Sequence, residues 1–263
     1  MISDQQGETM FLIERRKKIL EFLSSHGKAT VKELSSFSGV TEVTLRNDLK
    51  TMEEEGLIKR FHGGAIISEQ VDPENFFSVR EQKNPNQKSA IAKKAAELVT
   101  NGQCILLDGS STIREFAKLL KTMPVRLTVI TNGIYTALEL RDNPLITVIL
   151  LGGVIRVGST ALEGTLGTNI LNQLKIDIMF TSASGFTIKD GLMDFNVYEV
   201  DLKKRMVESS AKLVTLMDSS KFDTSSLASF AATDQMDTLI TDDSAPAETI
   251  AQLRNMNINV LIG

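Results

Sequence analysis

Thr41-Glu42-Val43-Thr44-Leu45-Arg46-Asn47-Asp48-Leu49 decides how the first part of the chain folds, because wound at about 100° per residue its side chains sort into two faces. Leu45, Leu49 and Met52 share one face; Val43, Asn47 and Lys50 project from the other, flanked by Thr44, Arg46 and Thr51. Thr41 suits the N-cap, and Gly56 suits the stop after Glu53-Glu54-Glu55. Upstream, Gly39-Val40 reads as a turn, and Thr30 with Glu33 has capping-box spacing ahead of inward-facing Val31, Leu34 and Phe37. Earlier still, Ile19, Leu20 and Leu23 recur at helical spacing. Downstream, Leu57-Ile58 reads as a short strand, and residues 59–67 as a hairpin with Gly63-Gly64 at its tip. Three helices and a basic hairpin predict a winged helix-turn-helix over residues 9–67.

The outward residues have the chemistry that reads a duplex. Asn47 can address an adenine edge through two hydrogen bonds, Arg46 a guanine or a phosphate, and Val43 a thymine methyl, with Thr41, Thr44 and Lys50 beside them. Arg15, Arg16, Lys17, Lys18, Lys28, Lys59, Arg60 and His62 can neutralise phosphates, which gives a salt-dependent affinity without sequence information. Amphipathic three-helix units with scattered lysines are common in proteins that never touch DNA. The order of helix, turn, helix and basic Gly-Gly wing is what makes operator DNA the expected partner.

A chain of 263 residues is too long for one winged helix and suits a small domain followed by a larger one. A charged fraction of 24% and a net charge of -4 confine any nucleic-acid contact to a patch. The lone Cys104 excludes an intrachain disulfide and a four-cysteine zinc site. Both histidines, His26 and His62, fall in the first domain, so the larger one has none for acid–base catalysis or metal binding; no metal or cofactor is expected. Asp4 and Glu8, around only a short apolar patch at residues 10–13, do not read as a secretory signal, and no apolar run approaches membrane-spanning length. The expectation is a cytoplasmic protein with no membrane partner.

Residues 68–87 are polar, contain Pro73 and Pro85, and read as a linker whose apolar pair Phe76-Phe77 docks on a neighbour. From residue 88 to 263, apolar runs of strand length (104–107, 127–130, 147–151, 176–180, 213–217, 238–240 and 258–262) alternate with helical patterns (90–100, 112–121, 135–141, 198–210 and 246–255). That alternation predicts the α/β class, with a mostly parallel sheet covered on both faces.

In such a sheet, ligands bind beyond the carboxyl ends of the strands. There the sequence places Asp108-Gly109-Ser110-Ser111-Thr112 before a helix, an arrangement that aims N–H groups and hydroxyls at one point and suits an anion. Other strand ends are Thr131-Asn132-Gly133, Gly152-Gly153 and Thr181-Ser182-Ala183-Ser184-Gly185, again small and polar. The charged candidates are Asp108, Arg156, Glu199, Lys203, Asp218 and Lys221. Lys221 follows serines at a strand end, a setting that can bind phosphate. By spacing, Glu199 and Lys203 read as an exposed i, i+4 pair contributing about 0.3 kcal/mol.

Glu14-Arg15-Arg16, Glu33-Leu34, Val40-Thr41, Thr44-Leu45-Arg46-Asn47-Asp48-Leu49 and Arg60-Phe61-His62-Gly63-Gly64-Ala65 together resemble the DeoR-type transcriptional repressors. The resemblance continues through Lys88, 108–112, Thr131-Asn132, Gly152-Gly153, Arg156, Gly185, Asn196, Glu199, Lys203 and Asp218 with Lys221. It implies that residues 88–263 are an effector-binding and oligomerisation domain, similar to sugar-phosphate isomerases, which takes a phosphorylated sugar or polyol and so relieves repression of a carbohydrate-utilisation operon. Carried over, Asp108 and Ser110, Ser111 and Thr112 hold phosphate or hydroxyls. Thr131, Asn132, Gly152, Gly153, Glu199, Lys203 and Lys221 line the pocket, with Gly109, Arg156 and Gly185 beside them. Two positions depart from the family pattern: Asn47 stands where a second arginine is usual, and Ser110 stands at a usual glycine. A homo-oligomer, at least a dimer, is expected because one winged helix reads few base pairs. The competing readings are an isomerase carrying a DNA-binding appendage, with Glu199 as its base, and a ligand-free dimerisation scaffold.

Overall fold

The computed structural model describes residues 15–16, 18–20, 22–23, 26–54, 57–67, 77–156 and 159–263, which fall into two compact units, 1–82 and 83–263. Lys17, Gly56, Pro73 and Phe76 lie outside the described residues.

In the first unit, helical residues between positions 15 and 26 are followed by β1 (Lys28–Thr30), α1 (Val31–Ser38), α2 (Glu42–Glu54), β2 (Ile58–Phe61) and β3 (Gly64–Ile67). Thr30 and Glu33 close the capping box at the start of α1, and Gly39 ends that helix in the left-handed conformation at φ 72. Ile19, Leu23, Leu34, Leu45, Leu49 and Met52 form one core, so the inward face of α2 is the one its spacing predicts. The hairpin is wider than predicted. Its second strand also pairs antiparallel with β1, giving the sheet order β1-β3-β2. Gly64 lies where these strands crowd: a Cβ there would stand 2.3 Å from the carbonyl oxygen of Ala29. The turn residue Gly63 has φ 90, open to glycine at little cost.

The stretch read as a linker is in part helical. α3 (Phe77–Gln82) lies within it, and α4 (Pro85–Ala96) begins at Pro85, a proline counted with the linker. Proline at the first helical position is a start signal, since its missing N–H would be unpaired there anyway.

The second unit is built on seven strands in the order β13-β12-β10-β7-β4-β5-β6, every neighbouring pair parallel. They are β4 (Cys104–Leu107), β5 (Leu127–Thr131), β6 (Ile146–Leu150), β7 (Ile178–Thr181), β10 (Leu213–Leu216), β12 (Thr238–Thr241) and β13 (Asn259–Ile262). Successive side chains feed opposite cores: Ile105, Leu107, Val129 and Phe180 pack with α5 (Ser111–Leu120), whereas Leu106, Ile130 and Met179 pack with α7 (Val197–Glu208) and α8 (Ala247–Asn255). Burial on both faces explains why the inner strands read as unbroken apolar runs; the edge strands β6 and β13 are only partly covered. α6 (Ile134–Leu140) joins β5 to β6.

The chain starts the sheet at β4, runs outward through β5 and β6, and then returns to the far side of β4 as β7. The carboxyl ends of β4 and β7 therefore form the switch point at which ligands bind in open parallel sheets. A second, antiparallel sheet of β8 (Gly185–Thr187), β9 (Gly191–Asp194) and β11 (Ala228–Ala231) was not legible in the sequence. Among the described residues no helix is long and apolar enough to cross a membrane.

Candidate nucleic-acid interface and effector site

On α2, Val43 is 68% exposed, Arg46, Asn47 and Lys50 also face solvent, and Thr41 caps the helix by accepting the N–H of Thr44 at 3.3 Å. Lys28, Lys59, Arg60 and His62 are exposed on the three-stranded sheet and its turn. The Arg46 guanidinium meets Glu42 at 2.8 Å, and Lys50 approaches Glu54 at 3.9 Å, both on the surface. Such exposed pairs are worth little and yield readily to a phosphate.

Arg15 has a different place from the one its charge suggests. It donates through Nη2 to Asp48 at 3.0 Å and through Nε to the other carboxylate oxygen. Asp48 is the one buried charge on α2, only 4% exposed, so it needs this partner. Two donors of Arg15 thus fasten the first helix to the recognition helix.

At the switch point of the larger unit, Asp108 follows β4 directly and is fully buried. Thr181 Oγ1 donates to its Oδ2 at 2.7 Å, the N–H of Ser182 donates to the same oxygen at 2.9 Å, and the N–H of Ser110 donates to Oδ1 at 2.8 Å. Lys203 arrives from α7, 1% exposed in its side chain, with Nζ 2.7 Å from Asp194, 3.1 Å from Asp108 and 3.8 Å from Glu199, and donates to the carbonyl of Ser182 at 2.9 Å. Glu199 and Lys203 are therefore an interior pair, where spacing alone read an exposed one. Met206, on the same stripe of α7, is the signal that this face turns inward.

Burial works against the charge on Lys203, but Asp108, Asp194 and Glu199 outweigh it and hold the ammonium above the ordinary lysine range. Burial likewise raises the Asp108 carboxyl, and Lys203 with the three donors reverses this, leaving it below the ordinary carboxylate value. Asp194 was absent from the sequence reading. It ends β9, accepts from Ser184 Oγ at 2.6 Å, and reaches Lys203 only because the small sheet folds back over α7.

Ser110 caps α5 by accepting the N–H of Ile113 at 3.3 Å, so Ser111 and Thr112 occupy the first turn, where helix geometry leaves N–H groups without intrahelical acceptors. Across from this turn, Thr131 Oγ1 accepts the N–H of Gly133 at 3.0 Å. Asn132 is fully buried; its Nδ2 donates to the carbonyl of Leu162 at 2.9 Å, and its Oδ1 has no hydrogen-bond partner among the described residues.

A strap, described at residues 152–156 and 159–167, crosses these strand ends. Leu162 N–H donates to the carbonyl of Asn132 at 2.8 Å, and Ile134 N–H to that of Thr160 at 2.9 Å. Gly109 lies directly beneath it: a Cβ there would stand 2.4 Å from that of Ala161. Gly153 is crowded in the same way by the backbone of Glu163, while neighbouring Gly152 is exposed. Arg156 is on the strap's outer side, held by Glu163 at 2.6 Å and stacked over Tyr198 at 5.2 Å. Gly185 belongs to β8, and its smallness answers to the carbonyl of Thr224, which a Cβ would approach to 2.3 Å. Lys221 sits in the turn Ser219–Lys221 after β10; that turn is capped by Asp218, which accepts from Ser220 N–H at 3.1 Å and Asn84 Nδ2 at 2.9 Å.

Residues 15–71 match the DeoR-like helix-turn-helix domain, and residues 83–243 match the DeoR C terminal sensor domain. The chain belongs to the DeoR family of transcriptional regulators. This DeoR-family chain is 47% identical over 234 residues to the HTH-type transcriptional regulator GolR of Listeria innocua, covering 89% of this chain and 92% of that one. It is 32% identical over 256 residues to the HTH-type transcriptional regulator GlpR of Haloferax volcanii, covering 97% and 99% of the two chains. It is 31% identical over 251 residues to a putative aga operon transcriptional repressor of Escherichia coli O157:H7, covering 95% and 93%. Among solved structures, a ribose 5-phosphate isomerase of Methanocaldococcus jannaschii overlaps 53% of the DeoR-family chain and 55% of its own at 19% identity, with a TM-score of 0.41. An overlap that slight says nothing about chemistry.

Proposed function

We propose that this regulator is a repressor of a carbohydrate-utilisation operon, that it binds its operator as a homo-oligomer, and that a phosphorylated sugar or polyol in the larger unit modulates that binding. The observation that carries the effector half is the polar assembly at the β4/β7 switch point. Its members are held by one another, and Asn132 Oδ1, one strand end away after β5, is a buried acceptor with no hydrogen-bond partner among the described residues. A ligand hydroxyl satisfies such an atom; an apolar ligand does not.

Charge gives the ligand its direction. Asp108, Asp194 and Glu199 against Lys203 make the floor net negative, so an anionic end is repelled from it and turns toward the first turn of α5, with Lys221 as a further cation. Hydroxyls, which can donate to carboxylates, belong at the floor. The same electrostatics speak against an isomerase. Lys203 is held protonated and Asp108 is a weakened base, so neither suits the removal of a proton from carbon.

On the DNA side, a pair of recognition helices spaced by about 34 Å or a multiple of it reads two half-sites, which a single copy cannot do. The effector shifts operator affinity only as far as it prefers one arrangement of the pair; a tenfold preference supplies about 1.4 kcal/mol.

The deciding experiment is a thermal-shift screen of phosphorylated sugars and polyols, with the unphosphorylated compounds as controls, followed by operator binding with and without each hit. A true effector at about a hundred times its Kd stabilises the protein by about 2.7 kcal/mol and changes operator affinity. No shift with any phosphorylated compound, or a shift that leaves operator binding untouched, overturns the effector reading. Turnover of a sugar phosphate that Glu199→Gln abolishes would replace it with the enzyme reading.

A further inference from the structure

A carboxylate in the last turn of a helix faces the negative end of the helix dipole and destabilises it. Glu53 occupies that position on α2, and no lysine or arginine lies in the last turn to compensate. Its partner comes instead from the wing. The N–H of Arg60 donates to Glu53 Oε1 at 2.8 Å, and Arg60 Nε donates to Oε2 at 2.7 Å. β2 is the edge strand of its sheet, so this N–H points away from β3 and would otherwise face water. One carboxylate thus caps an edge donor and holds the side chain of the same residue. The two donors also keep the Glu53 carboxyl below its ordinary range, so it is ionised at neutral pH.

The consequence for Arg60 is directional. Nε is the guanidinium nitrogen that faces Glu53; Nη1 and Nη2 have no protein partner among the described residues, and the side chain is 39% exposed. A groove of about 640 Å³ between α2 and the wing is lined by Arg46, Glu53, Arg60 and His62. A guanidinium anchored through Nε presents a fixed two-donor edge, the geometry that suits a phosphodiester.

We infer that Glu53 is a positioning residue for DNA binding: it sets Arg60 so that the Nη edge grips a backbone phosphate lying in the groove between the recognition helix and the wing. The inference rests on the DNA-binding reading and adds a residue whose own charge opposes DNA. That opposition makes the test sharp. If Glu53 acts only as a charge, removing it strengthens binding to every duplex. If it positions Arg60, removing it weakens binding although a negative charge has been deleted.

The test is operator affinity of the full chain across a salt series, for the wild type, Glu53→Ala, Glu53→Gln, Arg60→Ala and the Glu53→Ala/Arg60→Ala double variant. The expected result is that Glu53→Ala weakens binding about threefold to tenfold and lowers the salt slope by about one, as Arg60→Ala does. Glu53→Gln, which keeps an acceptor for the N–H, is expected to lose less. In the Arg60→Ala background, the loss from Glu53→Ala should vanish or reverse. Melting curves accompany each variant, and Glu53→Gln serves as the folded reference should Glu53→Ala melt early. Tighter binding by Glu53→Gln and Glu53→Ala, equal in both Arg60 backgrounds, overturns the inference and leaves the DNA-binding reading intact. A wild-type protein that does not distinguish operator from random duplex overturns that reading itself.

Discussion

Replacing Lys203 by Met removes the ammonium that lies 2.7–3.8 Å from three buried carboxylates while keeping most of the side-chain volume. Its Nζ lies 2.7 Å from Asp194 and 3.1 Å from Asp108, and the side chains of all three are at most 3% exposed. Breaking a buried pair by deleting one partner costs about 3–5 kcal/mol, because the other charge stays behind unpaired. At about 2–4 °C per kcal/mol for a unit of this size, the melting transition of the larger unit should fall by roughly 6–20 °C. The deficit should also depend on pH. In the wild type, the depressed Asp108 carboxyl contributes stability above the ordinary carboxylate range, and that contribution is lost as pH falls through its folded value. In Lys203→Met the cation is gone while burial remains, so the folded carboxyls rise above their unfolded values. A group raised in this way favours folding at low pH and opposes it as pH climbs through the folded value. The deficit should therefore be widest near about pH 7 and narrow toward about pH 5. Calorimetry of the full chain at several pH values reads both effects. A variant melting within a degree or two of the wild type, or a deficit independent of pH, would refute the account of this cluster.

Asn47→Ala should change preference at one base position by about 1–3 kcal/mol, whereas Lys59→Ala should weaken all sequences alike and lower the salt slope by about one; fluorescence anisotropy on operator and scrambled duplexes separates them. Asp48→Ala leaves Arg15, 17% exposed in its side chain, without its partner, and should destabilise the DNA-binding unit by about 1–3 kcal/mol in urea unfolding, at the low end if Arg15 swings into water. Gly109→Ala drives a methyl into Ala161 beneath the strap, and should cost about 1–3 kcal/mol and blunt any thermal shift by phosphosugars; a variant as stable and as responsive as the wild type would show that the strap gives way freely.

The legible parts of the sequence were those governed by local periodicity. The inward set Leu45, Leu49 and Met52 follows from helical spacing, and the seven strands follow from apolar runs such as Cys104–Leu107, because a sheet covered on both faces needs no polar alternation. The small antiparallel sheet was not legible: Gly185–Thr187 is three residues long, and its third strand, β11, reaches β9 only across some 35 residues of chain. Asp194 was lost with it. Glu199 and Lys203 were placed by family likeness, yet their spacing alone misled, since an i, i+4 pair says nothing about which face of a helix is covered. Asp48 carried the opposite trap, a charge inside the recognition helix whose partner lies 33 positions earlier. Pro85 was counted with the linker although proline is also a residue that starts helices.

β4 stands near the middle of the seven-stranded sheet, yet it is the first of those strands to be synthesised. Its neighbour β7 arrives only after β5, β6 and the strap, and the lysine that neutralises Asp108 comes later still. A ribosome-bound chain therefore exposes the whole helix-turn-helix segment well before Lys203 can reach Asp108, because the contacts of that segment are nearer in sequence than those of the cluster. For that interval a nascent regulator carries its address without its instructions.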